Sequence, residues 1–302
     1  MTTLHTPLPA RLTTNRSVLP VLFILMWSSG YVVGKLALPF AGPFTLLFLR
    51  FGVAALVLLL VAVLTRAPWP ESRAQFAHLV VVGLLMQALQ FGGLYSGLKL
   101  GVSAGVSALI VGAMPLCTAF GASVLLHEKV GKHQWIGLGA GVFGVILVVL
   151  GKGGAVGAGI AGICAVVLAL AGITLGTLYQ KKYCAGMDMR SGGCIQLAVA
   201  AIAALPLALA LGVDGWTVVW TPTLIFATGW LSVVNSIGAV SLLFLMMRRG
   251  EASKVASLFY LIPGTTALIG FAVLDERLGA VSIAGFAVTA GAVYWCTRTR
   301  QA

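Results

Sequence analysis

The chain of 302 residues is 60% hydrophobic and 9% charged, with a mean hydropathy of +1.05. Soluble domains carry about 25% charged residues, so this composition excludes a soluble globular protein and indicates a polytopic membrane protein. The net charge of +12 comes from single Lys and Arg residues between apolar runs, which excludes a basic patch for nucleic acid. The five cysteines show no metal-ligand spacing. We therefore expect no metal, no cofactor and no disulfide framework.

Ten apolar runs follow one another along the chain, each about 20 residues long, enough to cross a bilayer. The predicted spans are 18–38, 44–65, 75–97, 102–125, 133–151, 157–180, 191–212, 222–247, 253–274 and 280–297. Residues 1–17 and 298–302 are predicted to be short polar tails. No small-residue cleavage site follows the first run, so a signal peptide is not expected. The sequence predicts an all-α integral membrane protein with ten transmembrane helices.

A stretch at 104–145 recurs at 252–293. At a constant offset of 148, Pro115, Glu128, Gly131 and Gly137 recur as Pro263, Glu276, Gly279 and Gly285. Apolar bias does not place a proline, a glutamate and two glycines in one register, so the pattern indicates an internal duplication. Each half holds five spans, an odd number. The halves, 18–151 and 152–297, are therefore predicted to be two inverted five-helix repeats.

The repeated glutamate lies in a charged turn, beside Lys129 in the first copy and Arg277 in the second. Our preferred interpretation is that it caps the following helix or pairs with this basic neighbour. A catalytic or ion-binding glutamate is the alternative.

The distribution of Lys and Arg predicts the orientation. With the N-terminus inside, 14 basic residues lie on the cytoplasmic side and 5 outside. The positive-inside rule therefore predicts that both termini are cytoplasmic.

Polar and aromatic residues within the predicted spans indicate a binding cavity. On span three, Gln87, Gln90, Phe91 and Leu94 share one helical face. An amide at membrane depth must face protein or water, and Gln87 and Asn235 are matched by the offset of 148. The two amides are therefore predicted to flank one midplane cavity. The predicted substrate-binding residues are Trp27, Tyr31, Gln87, Phe91, Tyr95, Asn235, Ser257 and Tyr260.

Each of these residues has a simpler interpretation. In this alternative the amides only hydrogen-bond helices together, and Trp27 and Tyr31 face lipid or the helix core. The Gly-rich segment 151–159 is interpreted as a linker between the halves, because no Gly-Lys-Ser/Thr phosphate-binding motif follows it.

An enzyme is not expected, because the histidines lie in tails, turns or span entrances and form no catalytic set. All seven acidic residues lie in loops or at span ends, so the sequence predicts facilitated transport down a gradient or only weak coupling. Proton sensing by a buried base, Lys35 or Arg50, is the alternative. The expected partners are a small-molecule substrate and membrane lipid, with no nucleic acid and no obligatory protein partner. A channel-like pore, or an importer of another small metabolite, is the alternative.

Three features resemble the EamA-type drug/metabolite transporters over residues 18–297. They are Trp27-Ser-Ser-Gly-Tyr31 in span one, Leu49-Arg50-Phe51 in span two, and the repeated Pro…Glu…Gly…Gly block. The resemblance implies a plasma (inner) membrane carrier with both termini cytoplasmic and a central cavity lined by helices one, three, four, six, eight and nine. It also implies export of small metabolites, with aromatic amino acid exporters as the closest type. Ile173 stands near a position where the family often has tryptophan, which affects the expected substrate preference.

Overall fold

The computed structural model describes residues 18–125, 159–248 and 261–276, and positions 139, 143, 258, 259, 280, 283–285, 287, 288 and 291. These residues are helical apart from the connections between helices and an isolated antiparallel bridge between Ala41 and Val218. The helices are α1 (Val18–Ala37), α2 (Pro43–Leu64), α3 (Arg73–Lys99), α4 (Ala104–Gly112), α5 (Met114–Leu125), α6 (Ile160–Tyr183), α7 (Met189–Leu209), α8 (from Pro222 to Arg248) and α9 (Ile262–Leu274).

Six helices in the described part are long and apolar enough to cross a membrane, namely α1, α2, α3, α6, α7 and α8. Their bounds agree with the predicted spans to within a few residues. The prediction of an all-α membrane protein is therefore confirmed. Predicted spans five and ten lie outside the described residues except at single positions, so the count of ten helices stays a prediction.

Polar side chains and prolines fix where several helices begin. Ser72, Ser103 and Thr221 each accept a hydrogen bond at 3.2 Å from a backbone N–H in the first turn of the following helix. Pro43 and Pro222 occupy first-turn positions, where a missing N–H costs nothing. These starts allow the polar connections to stay short between apolar helices.

The bundle has two ends, which we name after one residue at each. At the Lys35 end, Val219 N donates to Phe40 O at 2.8 Å and Lys99 Nζ donates to Leu38 O at 2.9 Å. At the Arg190 end, Ser191 Oγ donates to Pro68 O at 2.5 Å. The helices joined at these ends, α1 to α3 and α6 to α8, therefore alternate in direction between the two ends.

The two halves share irregular backbone at matched positions. The middle of α3 is π-helical over Gly83–Leu89, and the middle of α8 is π-helical over Trp230–Ala239. The offset of 148 carries the first segment onto positions 231–237. Ala113 separates α4 from α5, and the matched Leu261 precedes α9. A proline follows each break by two residues, and proline removes a helical hydrogen bond. The duplication thus extends to these helix defects.

Helix packing follows the same symmetry. Helix α1 of the first half packs against the π-helical segment of α8 in the second half. Helix α6 of the second half packs in the same way against the π-helical segment of α3 in the first half. Glycines allow both approaches, since a Cβ on Gly30 would lie 2.6 Å from Asn235 Nδ2 and one on Gly176 would lie 3.0 Å from Met86 N. Gly30 and Gly176 are themselves matched at an offset of 146. Because α1 and α6 run in opposite directions, the matched helices are inverted.

Candidate functional site

A small cavity lies where the broken helices meet. We call it the central cavity; its walls include Trp27, Tyr31, Gln90, Pro115, Phe259 and Ile262. It lies between α1, α3, the α4–α5 break, α6 and the start of α9. Its volume of about 20 Å³ is enough for a water molecule and too small for a metabolite. In this conformation the side chains around the central cavity leave no room for a substrate.

Two polar side chains that line the central cavity make no hydrogen bond within the described part of the chain. Tyr31 and Gln90 are 6% and 5% exposed, and among the described residues neither side chain makes a hydrogen bond. These two groups are therefore available to a bound molecule, which could satisfy them.

Aromatic rings form one wall of the central cavity. Trp27 packs edge-on against Phe259, with ring centroids 5.3 Å apart, and Phe23 lies 5.4 Å and 5.5 Å from these two rings. Apolar and aromatic walls with a few polar groups are typical of small-molecule sites. The cavity thus combines apolar contact with hydrogen-bonding capacity.

A larger cavity of about 570 Å³, which we call the vestibule, opens at the Arg190 end. Its polar lining includes Gln87 from the first half and Gln180, Gln196, Ser236 and Ser241 from the second. The volume falls in the range of ligand-binding clefts. The vestibule is therefore a cavity of metabolite size that lies between the two halves and opens at one end of the bundle.

Two titratable groups at the mouth of the vestibule have shifted pKa values. Side-chain hydrogen bonds from Arg190, at 2.8 and 3.1 Å, hold the pKa of the Asp188 carboxyl below its usual range. Burial raises the pKa of the Cys184 thiol. At neutral pH the mouth therefore carries an ion pair and a protonated thiol.

Arg50 is buried between the vestibule and the core, with 3% exposure. Its Nε donates to Ser236 Oγ at 3.1 Å, and its Nη1 donates to Tyr95 Oη. The guanidinium lies 4.3 Å from the centroid of the Phe91 ring and 5.0 Å from that of Phe51. Aromatic faces stabilise a desolvated cation. Arg50 thereby joins α2, α3 and α8 within the membrane.

An ion pair links α1, α4 and the end of α9 at the Lys35 end. Lys35 Nζ lies 2.5 Å from Glu276 Oε1, and both carboxylate oxygens of Glu276 accept from Ala104 N, at 3.1 and 3.0 Å. The sequence led us to expect a cap on the following helix or a pair with Arg277. Arg277 and the start of the following helix lie outside the described residues, so this expectation stays a prediction. In the described part of the chain the carboxylate caps α4 of the other half.

The predicted site residues separate into several places. Trp27 and Tyr31 line the central cavity. Phe91 and Tyr95 contact Arg50, and neither is among the residues that line the central cavity. Gln87 lines the vestibule. Ser257 and Tyr260 lie outside the described residues.

The two matched amides do not line the same cavity in this conformation. Asn235 Nδ2 donates to Met26 O at 2.6 Å, so this amide links α8 to α1. Its Oδ1 is buried without a partner among the described residues. Gln90 lines the central cavity. Sequence analysis placed it on the same helical face as Gln87 but did not include it among the predicted substrate-binding residues.

The family model for the EamA-like transporter family matches the chain twice, over residues 17–150 and 160–298. The chain belongs to the EamA-like transporter family. This double match confirms the resemblance read from the sequence, and it identifies the protein as a multi-pass membrane transporter of small metabolites. The two EamA-like copies correspond to the two halves of the duplication.

Several relatives agree with this EamA-like assignment. The chain is 28% identical to the chloroplastic WAT1-related protein At3g02690 of Arabidopsis thaliana, over 89% of this chain and 66% of that protein. It is 25% identical to the inner membrane transporter YedA of Escherichia coli K12, over 93% and 92% of the two chains. It is 23% identical to a probable amino-acid metabolite efflux pump of the same strain, over 89% and 90%. The family is one of transporters, and two of these relatives are named as a transporter and an efflux pump, not as enzymes.

A solved crystal structure shares the fold with this EamA-like transporter. The two chains superpose with a TM-score of 0.65 at 18% identity, over 94% of this chain and 97% of the other. At this identity the comparison shows the fold alone. The helical arrangement around both cavities is thus an architecture found in another protein.

Proposed function

We propose that this EamA-like transporter carries small amphipathic metabolites across the inner membrane by alternating access. The substrates are amino acids, with a preference for bulky or aromatic ones. The observation that supports this most is the central cavity, where Tyr31 and Gln90, without a hydrogen-bond partner among the described residues, lie between aromatic and apolar walls. A relative named as a probable amino-acid metabolite efflux pump supports the same substrate class and the direction of export.

The chemistry of the cavity suits a zwitterion with an apolar side chain. An uncharged amide offers a donor and an acceptor together, and a phenol hydroxyl does the same. These groups bind an ammonium and a carboxylate at a lower desolvation cost than buried charges. Trp27 and Phe259 then provide contact for the apolar side chain. The cavity must enlarge when substrate enters from the vestibule.

The two ends of the bundle support alternating access. The vestibule is open at the Arg190 end, and the Lys35–Glu276 pair closes the other. Inverted repeats produce such asymmetric states, because each half can adopt the conformation of the other. By the positive-inside rule we place the Arg190 end and both termini in the cytoplasm. The conformation described is then inward-open.

Uptake of radiolabelled amino acids into liposomes tests the proposed function. We expect saturable transport, with bulky and aromatic amino acids competing better than glycine or charged ones, because the walls are apolar and uncharged. Empty liposomes and the unrelated charged amino acids serve as controls. Flux that stays linear with concentration would instead support a channel-like pore, and no transport of any amino acid would refute the substrate class.

The energetics give a second expected outcome. Within the described residues the walls of the central cavity carry no acidic group, and coupled carriers place an ionisable group or carboxylate ligand at membrane depth. We therefore expect facilitated transport that equilibrates substrate. An imposed pH or sodium gradient alone should give no accumulation above the external concentration. Strong uphill accumulation under either gradient would contradict this expectation.

A further inference from the structure

Three helices meet at one carboxylate at the Lys35 end. Glu276 follows α9, Lys35 lies in the last turn of α1, and Ala104 begins α4. Lys35 Nζ also donates to Val102 O at 3.0 Å, just before α4. A carboxylate on a helix N-terminus is favoured by the helix dipole, and the ammonium adds a charge-assisted hydrogen bond. We call these three residues the latch.

The latch lies on the same helices that form the central cavity. Tyr31 is four residues before Lys35 on α1, and Ala108 of α4 and Ile262 of α9 line the same cavity. The side chains of Lys35 and Glu276 are 24% and 13% exposed, so water reaches the pair. A partly solvated pair separates at a lower cost than a buried one, because water replaces the lost contacts.

A second carboxylate at the same end provides a contrast. Asp214 accepts from Thr45 N at 2.7 Å and from Thr45 Oγ1 at 3.1 Å, at the start of α2. It is 8% exposed, no basic residue is described as its partner, and α2 does not line the central cavity. Asp214 is thus a fixed helix cap, chemically similar to the latch but away from the transport path.

The sequence carries the same three residue types in the other repeat. Glu128 and Ala252 correspond to Glu276 and Ala104 at the offset of 148, and Lys181 corresponds to Lys35 at 146. Glu128 and Ala252 lie outside the described residues. In an inverted repeat, corresponding residues belong to opposite ends of the bundle. A closing element used alternately at the two ends would leave this duplicated pattern.

We propose that the latch of Lys35, Glu276 and Ala104 is the gate of the Lys35 end. It must open in every transport cycle so that the central cavity can exchange substrate with that side. The proposal rests on alternating access as the proposed function. Loss of the pair shifts the population toward the state that is open at the Lys35 end, by the free energy that the latch contributes to the closed state.

The labelling rate of a cysteine in the central cavity measures the opening of the gate without any substrate. All five native cysteines are replaced, and a cysteine is introduced at Ala108, which lines the central cavity and is fully buried. A membrane-impermeant thiol reagent is applied to proteoliposomes from the side of the Lys35 end. That side is identified by Val213→Cys, at the Lys35 end, and Gly186→Cys, at the Arg190 end. A second probe, Val111→Cys, replaces the first if Ala108→Cys does not fold.

We expect Lys35→Met and Glu276→Gln each to raise the labelling rate of the probe about tenfold, because each removes charge-assisted hydrogen bonds of the closed state. The matched control, Asp214→Asn, should leave the rate unchanged. Unchanged labelling in both latch variants would overturn the proposal. An equal increase in the control would also overturn it, because it would show general loosening.

A reversible cross-link tests whether opening is needed for transport. In the Lys35→Cys, Glu276→Cys double variant, a short bifunctional methanethiosulfonate joins the two positions. Transport should stop and return after reduction, whereas the same treatment of Thr45→Cys, Asp214→Cys should leave transport unchanged. Continued transport in the cross-linked latch variant would overturn the gate. Absence of amino acid transport with a normal labelling response would instead refute the proposed function and leave the gate standing.

Discussion

Replacing Arg50 by lysine is expected to destabilise the protein by about 2–4 kcal/mol. Arg50 uses two different nitrogens for Ser236 Oγ and Tyr95 Oη, and its planar group lies on the Phe91 ring. An ammonium cannot reproduce this fork or this stacking. The buried charge would remain while its compensation is lost. Thermal unfolding in detergent, followed by fluorescence and size exclusion, measures the effect.

Arg190→Lys is the matched control for this substitution. Arg190 pairs with Asp188 through a side chain that is 40% exposed, and exposed pairs contribute little. Its replacement should change the melting temperature only slightly. Similar losses in both variants would show that the environment of Arg50 has no special role.

Gln90→Leu is expected to raise the KM of transport about tenfold or more, since a lost hydrogen bond to substrate costs roughly 1–3 kcal/mol. Tyr31→Phe should have an effect in the same direction. Leucine fills a similar volume and leaves no unpaired polar group, so folding should be preserved. Liposome transport kinetics, with a thermal melt of each variant, provide the measurement.

Two further glutamine variants complete this experiment. Gln75→Leu changes a residue near the start of α3, outside both cavities, and should leave the KM unchanged. Gln87→Leu reports on the vestibule. A larger change for Gln87 than for Gln90 would place substrate recognition in the vestibule, and wild-type kinetics in all variants would exclude both amides.

Hydropathy and the repeated prolines were sufficient to predict most of the described helices. The placement of Gln90 in a different cavity from Gln87 was harder to predict, because regular α-helical periodicity puts both residues on one face. The π-helical segment Gly83–Leu89 widens the turn between Gln87 and Gln90. It therefore directs the two amides into different cavities. No local residue pattern distinguishes such a turn from a regular helix, since its glycines and leucines occur throughout the spans.

The partner of Glu276 was also beyond sequence reasoning. The charged turn predicted a cap on the following helix or a pair with Arg277, both of which involve residues outside the described part of the chain. It did not indicate Lys35, which is 241 residues away and binds the carboxylate. The repeat places Glu276 and Glu128 at corresponding positions, because that correspondence requires only the alignment of the two sequence copies. Which helix start a loop reaches depends on how the two halves pack together. That information becomes visible only in three dimensions.

The caps of α2 and α4 have a consequence for how the protein is made. Both acceptors come from the second half, since Asp214 and Glu276 lie 169 and 172 residues after the N–H groups that they bind. At about 5–20 residues per second, the ribosome needs roughly 10–30 s to synthesise the intervening chain. During that interval the starts of α2 and α4 lack these acceptors. Biogenesis of the first half is therefore completed by the second, and the order of synthesis imposes a waiting period on the nascent chain.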